Sequence, residues 1–312
     1  GTAAVLIPVV IGVAAKSGFT RSRLLMPLVF AAALGGNLSL IGAPGNLIAQ
    51  SALQNIGSGF GFFEYAKVGL PMLVCGILYF LTIGYKFLPN NSNSSEVGSI
   101  GEQRDYSHVP RWKQILSLVV LIATILGMIF EKQTGISLTV AGCIGALVLV
   151  ITGVLTEKQA YKAIDSQTIF IFGGTLALAK ALEMTGAGKL VADQVIGLLG
   201  NNSSPFMLLV VVFALSVVMT NFMSNTATVA LLVPVSLSIA AGMGADPRAV
   251  LMATVIGSSC AYATPIGMPA NMMVLSAGGY KFVDYAKSGI PLIIVSTIVS
   301  LILLPILFPF HP

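Results

Sequence analysis

Residues 223–234 read MSNTATVALLVP. Ser224, Asn225 and Thr226 stand side by side inside an apolar stretch that runs from 205 to 242. An amide and two hydroxyls in hydrocarbon cost about 1–3 kcal/mol apiece, or more, when they lack partners. They must bond to backbone, to water, or to something the protein carries. One membrane helix needs only about 20 apolar residues, so 205–242 is too long for a single span. It is expected to form a re-entrant hairpin with the three polar residues at its tip.

The rest of the chain makes the same setting. Of 312 residues, 56% are hydrophobic and 9% charged, against about 25% charged in soluble domains. The mean hydropathy is +0.93. The expected fold class is an all-α polytopic protein of a lipid bilayer. The net charge of +5 is scattered over loops; nucleic-acid binding would want a basic stripe. Cys75, Cys143 and Cys260 lie far apart in apolar runs and are expected as small core residues. Their spacing suits neither a metal site nor a disulfide framework. His108 falls in a polar loop and His311 in the C-terminal tail, and no phosphate loop, dinucleotide fingerprint or Gly-x-Ser-x-Gly occurs. No cofactor is expected. The start at Gly1, without a basic segment and cleavage site, argues against a signal peptide and suggests a fragment of a longer chain.

Clean candidate spans are 69–88, 114–130, 136–155, 168–183 and 288–308. Residues 1–15 are apolar but short. Residues 24–54 are interrupted by GGNLSLIGAPGN (35–46), and 249–277 by ATPIGMPAN (263–271). The polar stretch 89–112 reads as a linker, rich in Ser and Asn. Lys180 and Glu183 near a span end are expected as a surface pair, and GFGFF with Tyr65 as an interfacial aromatic belt.

The chain also repeats itself. TAAVLIPV (2–9) matches TVALLVPV (228–235), LIGAPGNLI (40–48) matches PIGMPANMM (265–273), and FFEYAKVGLP (62–71) matches FVDYAKSGIP (282–291). Three blocks in one order are a hallmark of secondary transporters. The division expected is 1–88 for the remainder of the first repeat, 89–112 for a cytoplasmic linker, and 113–312 for the second. The second would comprise scaffold helices over 114–183, an outward hairpin at 205–242, a broken helix at 249–277 and a final helix at 288–308.

Basic residues orient the repeats, because cytoplasmic loops collect Lys and Arg. With the hairpin returning to its own side, one side holds Lys16, Arg21, Arg23, Lys86, Arg104, Arg111, Lys113, Lys158, Lys162, Lys281 and Lys287. The other holds Lys67, Lys132, Lys180, Lys189 and Arg248. Glu64 and Lys67 then face outside while Asp284 and Lys287 face inside, so the repeats come out inverted. The C-terminus is expected on the extracytoplasmic side of the cell membrane.

Irregular backbone at membrane depth is tolerated where it lines a cavity or is buried in protein. The helix opening after the tip points its first amides there, and helix N-termini attract anions. In the break at 263–271, Gly267 permits tight backbone, Pro265 and Pro269 interrupt the helix, and Asn271 offers an amide. Freed carbonyls suit Na⁺. In the first repeat Gly42, Pro44 and Asn46 match Gly267, Pro269 and Asn271. Aligning Pro8 with Pro234 sets Gly1 opposite Ala227, so the first Ser-Asn-Thr is expected just before Gly1.

Together, SNTATVALLVP, ATPIGMPAN and the repeat arrangement resemble the divalent anion:sodium symporter family, the sodium:dicarboxylate, citrate and sulfate carriers, over essentially the whole chain. The resemblance implies two hairpins facing two broken helices, an elevator-like transport domain and a homodimer. It implies that Ser224 and Asn225 help hold one Na⁺ with Thr220 and the carbonyl near Gly267. Asn225 and Thr226 would touch an oxyanion of the small anionic substrate, in a site shared with Met268, Pro269, Asn271, Pro44 and Asn46. Gly42 would belong to the other Na⁺ site. Where the family commonly has Thr-Pro-Pro-Asn, this chain has Ala43-Pro44-Gly45-Asn46 and Met268-Pro269-Ala270-Asn271, which removes two hydroxyls from the substrate's surroundings.

The function expected is therefore Na⁺-coupled symport of a small divalent anion. The alternatives are an H⁺-coupled or antiport carrier, or a carrier of another oxyanion such as arsenite. No acidic residue lies at mid-span to favour proton coupling. An intramembrane enzyme would need a Ser/His or Asp/Asp pair within the membrane, and a channel would show a pore-lining ring or filter.

Overall fold

The computed structural model describes residues 2–90, 109–164 and 204–310, with scattered positions between 165 and 203. The span at 168–183 with its Lys180–Glu183 pair, most of the linker 89–112, and both histidines lie largely or wholly outside the described residues. Among the described residues the chain is helical, without strands.

In chain order the helices are α1 (Thr2–Ser17), α2 (Arg21–Gly35), α3 (Pro44–Gln54), α4 (Ala66–Thr82), α5 (Arg111–Ile129), α6 (Glu131–Thr134), α7 (Leu138–Ile151) and α8 (Glu157–Ala163). After them come α9 (Pro205–Thr220), α10 (Asn225–Met243), α11 (Pro247–Ser258), α12 (Pro269–Ala277) and α13 (Phe282–Leu307). The chain divides into two compact units, Gly1–Gly101 with Phe170–Pro312, and Glu102–Ile169. In the smaller unit α5 packs on α7, and the Lys113 ammonium closes the far end by donating to Gly153 O at 2.6 Å.

Both interrupted spans are broken helices, α2–α3 and α11–α12, and 205–242 is the hairpin α9–α10. Pro44 and Pro269 restart the helices at N1, where a missing N–H costs nothing. Among the described residues, α5, α10 and α13 are long and apolar enough to cross a membrane. Several helices begin earlier than hydropathy indicates. α13 starts at Phe282, where Asp284 accepts the Lys281 N–H at 2.8 Å; α4 starts at Ala66 after a turn in which Glu64 accepts the Gly61 N–H at 2.8 Å. A carboxylate that satisfies an orphan amide lets a charged first turn be helical. The cysteines differ from expectation in part: Cys260 is buried, Cys75 half-buried and Cys143 exposed.

In the larger unit α11 is buried at every position from Ala249 to Ser258, as befits a helix apolar on all sides. It packs against both arms of the hairpin, and α10 also packs on α3. The helices after the two breaks, α4 and α13, run antiparallel. Near the start of α4, Met72 Sδ accepts the Ser300 hydroxyl at 3.3 Å near the end of α13. Near the end of α4, the Tyr79 hydroxyl donates to Ser288 O at 3.0 Å near the start of α13.

Two polar clusters mark opposite ends of this pair. At one, Arg248 pairs with Glu64 and lies over the rings of Phe60 and Phe308, while Lys67 lies over Phe308. Burial pushes the Glu64 carboxyl up, but the Gly61 N–H and the Arg248 and Lys67 charges outweigh it and hold it below its ordinary 4.5. At the other end, Ser288 donates to Phe87 O at 2.9 Å, Thr20 to Asn90 at 3.0 Å, and Tyr280 to Ser22 O at 2.6 Å.

Candidate functional site

The hairpin turns over Asn221–Met223 between Thr220 and Ser224. Ser224 is the N-cap of α10: its extended backbone leaves its hydroxyl to accept the Ala227 N–H at 3.2 Å, while its carbonyl accepts the Thr228 hydroxyl at 3.2 Å. A side-chain cap of this kind is the ordinary reason for a serine before a helix. Asn225 follows at the first helical position, aimed across the gap at the second break.

Four polar groups converge there. The Asn225 amide, with its NH₂ turned inward, donates to Thr220 Oγ1 at 2.8 Å, Gly267 O at 3.1 Å and Ser258 O at 3.3 Å. The Thr220 hydroxyl itself donates to Ser258 O at 2.5 Å. With the amide turned the other way, Oδ1 faces the same three oxygens, a set that either an amide NH₂ or a cation can satisfy. Gly267 makes this approach possible, since a Cβ there would sit 2.6 Å from Thr220 O.

The break itself is held from behind by Asn271, which is 0% exposed. Its NH₂ donates to Ala261 O and Thr264 O, both at 2.9 Å. The first break copies this at the same sequence offsets: Asn46, also 0% exposed, donates to Gly36 O at 3.1 Å and Ser39 O at 2.9 Å. The tyrosines that follow repeat the pattern too, Tyr285 donating to Asn271 O at 2.7 Å and Tyr65 to Asn46 O at 3.3 Å. Both asparagines thus spend their donors inside the breaks, and neither lines an open surface.

Three helix N-termini gather around the tip. α10 begins at Asn225; α12 begins beside Gly267, the residue that Asn225 reaches; and α3 meets α10 where Gly45 lies against Val229, its Cβ position 2.9 Å from a Val229 methyl. Neither Ala43 before α3 nor Met268 before α12 supplies a side-chain cap. Pro44 and Pro269 carry no N–H, and the Asn46 and Asn271 N–H groups donate to Ala43 O and Met268 O, which leaves the Gly45 and Ala270 N–H groups for other acceptors. Thr226 is half-buried at the start of α10, Pro44 and Pro269 are exposed, and Met268 is buried. Gly42 sits in the first break with its Cβ position 2.3 Å from Gly36 O, away from the Asn225 cluster.

Sequence reasoning missed two participants. Ser258 contributes a main-chain oxygen, which leaves no trace in side-chain patterning. Asn221 precedes the polar triplet and bridges the tip to the break; its signal was an additional amide in an apolar run.

A family model described as a citrate transporter matches residues 1–249 and 126–311. The chain belongs to that family. It is of the divalent anion:sodium symporter type. A protein named as an uncharacterised transporter of Methanocaldococcus jannaschii is 30% identical over 302 residues, 95% of this chain and 66% of the relative. One of the same description from Haemophilus influenzae is 28% identical over 96% of this chain and 66% of the relative. A sodium-dependent dicarboxylate transporter of Staphylococcus aureus is 25% identical over 93% of this chain and 59% of the relative. The chain thus spans 59–66% of the length of these relatives, less than two thirds of each. The relatives bear the names of transporters, and the chain is a helical membrane-protein member of their family.

Proposed function

We propose that the protein couples Na⁺ to the movement of a small divalent anion, a dicarboxylate, citrate or sulfate, by alternating access of an elevator type. The observation that carries this reading is the Asn225 amide at the hairpin tip, facing the oxygens of Thr220, Ser258 and Gly267. The oxygens of Thr220, Asn225, Ser258 and Gly267 hold Na⁺, a hard cation that prefers oxygen ligands, and Ser224 fixes the start of α10 that presents Asn225. The anion lies against Asn225, Thr226 and the first N–H groups of α12 and α3, those of Ala270 and Gly45, beside Met268, Pro269 and Pro44. Asn271 and Asn46 act from behind by holding the breaks. Gly42 serves a second Na⁺ in the same manner.

The amide links the two ligands. Without a cation its NH₂ satisfies the three oxygens. A cation in their midst requires Oδ1 instead, so the amide turns and its NH₂ becomes available to the anion. Each ligand then favours the other's site, which is the coupling a symporter needs.

The antiparallel course of α4 and α13, with their matched breaks and the carboxylates near their starts, supports an inverted repeat. The grouping of Glu64, Lys67 and Arg248 with Phe308 at one end supports an extracytoplasmic C-terminus in a multi-pass cell-membrane protein. The intact protein is proposed to be a homodimer.

The test is uptake of succinate, citrate and sulfate by the full-length protein in proteoliposomes. Uptake of at least one of them is expected to rise with an inward Na⁺ gradient and to ignore an equal pH gradient beyond its effect on substrate ionisation. Full activity in Na⁺-free buffer overturns the reading.

A further inference from the structure

Two of the three oxygens around Asn225 are main-chain carbonyls at a break, where no continuous helix fixes their position. Gly267 O lies in the unwound segment, and Ser258 O is at the end of α11. Such carbonyls hold a site only if something else holds them. We propose that Asn221 and Thr264 are positioning residues that lock the hairpin tip to the break, and that this lock sets the size of the cation site. The inference rests on the Na⁺ site proposed above.

Asn221 is the first residue past α9 and is 6% exposed. Its Nδ2 donates back to Val217 O at 2.8 Å and across to Cys260 O at 3.2 Å. Its Oδ1 accepts the Ala263 N–H at 2.9 Å. Both amide hydrogens and the amide oxygen are therefore used, two of the three contacts reaching the break. Its main-chain oxygen accepts the Thr264 hydroxyl at 2.5 Å, and Thr264 Oγ1 accepts the Gly267 N–H at 3.1 Å. A chain of hydrogen bonds thus runs from α9 through Asn221 and Thr264 to Gly267, the residue whose carbonyl faces Asn225. Asn271 closes it from the other side by holding Thr264 O.

Neither side chain faces the oxygen cluster. Thr264 is 5% exposed, and its hydroxyl is fully committed to the two main-chain partners. These residues act on an ion through the carbonyl they aim. A ring of oxygens that cannot yield discriminates cations by size, whereas a loose one accommodates several. Loss of the lock is therefore expected to weaken Na⁺ binding and also to blur the distinction between Na⁺ and K⁺, which loss of packing alone does not do.

The experiment measures thermal stabilisation of the purified full-length protein in detergent by Na⁺ and separately by K⁺. Thr264→Val keeps the shape and removes the hydroxyl; Thr264→Ser keeps the hydroxyl. Asn221→Asp, nearly isosteric, replaces the donating NH₂ with an oxygen facing Val217 O and Cys260 O, and serves if Thr264→Val does not fold. Thr264→Val or Asn221→Asp is expected to raise the half-saturating Na⁺ concentration about tenfold, the effect of roughly one buried hydrogen bond, and to narrow the gap between Na⁺ and K⁺. Thr264→Ser is expected to preserve both. A uniform fall in melting temperature, with Na⁺ half-saturation and the Na⁺/K⁺ ratio unchanged, overturns the lock. Asn225→Ala separates the two claims. If it abolishes the Na⁺ response while Thr264→Val does not alter it, only the lock fails; if Asn225→Ala keeps the response, the cation site fails and the lock with it.

Discussion

The first break, 36–43, and the second, 259–268, share a frame and differ in what closes it. In each an asparagine after the restarting proline ties down carbonyls ten and seven residues earlier, and a tyrosine hydroxyl caps that asparagine's own carbonyl. In each a glycine of the following helix presses on the break: a Cβ at Gly69 would sit 2.0 Å from Asn37 O, and one at Gly289 2.1 Å from Tyr262 O. The breaks part company at the next glycine. The nearest neighbours of a Cβ at Gly42 are atoms of Gly36 in the same break, whereas at Gly267 they include Thr220 O and Asn221 Cα of the hairpin. The asparagine frame thus makes a break, and at the second break the hairpin tip brings further oxygens to it.

The largest expected effects test the shared frame. Gly69→Ala and Gly289→Ala each drive a methyl into main-chain atoms that cannot rotate away, and each is expected to destabilise the protein by about 3 kcal/mol. Similar losses in thermal unfolding sustain the comparison, and a tolerant Gly69 alongside an intolerant Gly289 breaks it.

Asn46→Ala and Asn271→Ala come next. Each strands two carbonyls, part-buried in the first break and buried in the second, at about 2 kcal/mol. The stability losses should match, but in Na⁺ titrations only Asn271→Ala is expected to shift the half-saturation of the Asn225 site. An equal shift from Asn46→Ala erases the distinction between the breaks.

A smaller difference lies at the carboxylates near these helix starts. Asp284 caps α13 and Glu64 holds the turn before α4 through the Gly61 N–H, but Glu64 also pairs with Arg248. Because its carboxyl is held below its ordinary 4.5, the stability it supplies is fully present above that value and is lost as pH falls through the lowered one. Glu64→Gln is expected to cost about 1–2 kcal/mol at neutral pH, and its deficit relative to wild type should shrink in acid. A deficit that stays constant down to acid pH contradicts the assignment.

The smallest effect is at Met268, buried before the uncapped α12. A thioether is a weak acceptor and no donor, so Met268→Thr brings a hydroxyl to the start of α12. It is expected to tighten divalent-anion binding several-fold. Unchanged affinity with a lowered melting temperature would mean that Met268 serves packing alone.

The hairpin, its tip and both breaks were legible because polar side chains and prolines in apolar runs have few other places to go. At the tip Ser224 caps α10, and Asn225 reaches Thr220 and Gly267. Helix starts were less legible, since hydropathy does not register that Asp284 and Glu64 hold charged turns. Asn271 and Asn46 looked like ligands because an amide near a break can serve either ion or backbone, and only coordinates show which carbonyls lie in reach. The Glu64–Arg248 pair joins residues 184 positions apart, and Ser258 acts through its backbone; neither follows from local pattern.

The central claim is that the oxygens at the hairpin tip hold the coupling ion. Titration calorimetry of Na⁺ into the purified full-length protein tests it most directly, with wild type beside Asn225→Ala. The account predicts saturable Na⁺ binding by wild type and loss of one binding component in Asn225→Ala, with the variant still folded and inserted. Wild-type Na⁺ binding retained in full by Asn225→Ala would contradict it.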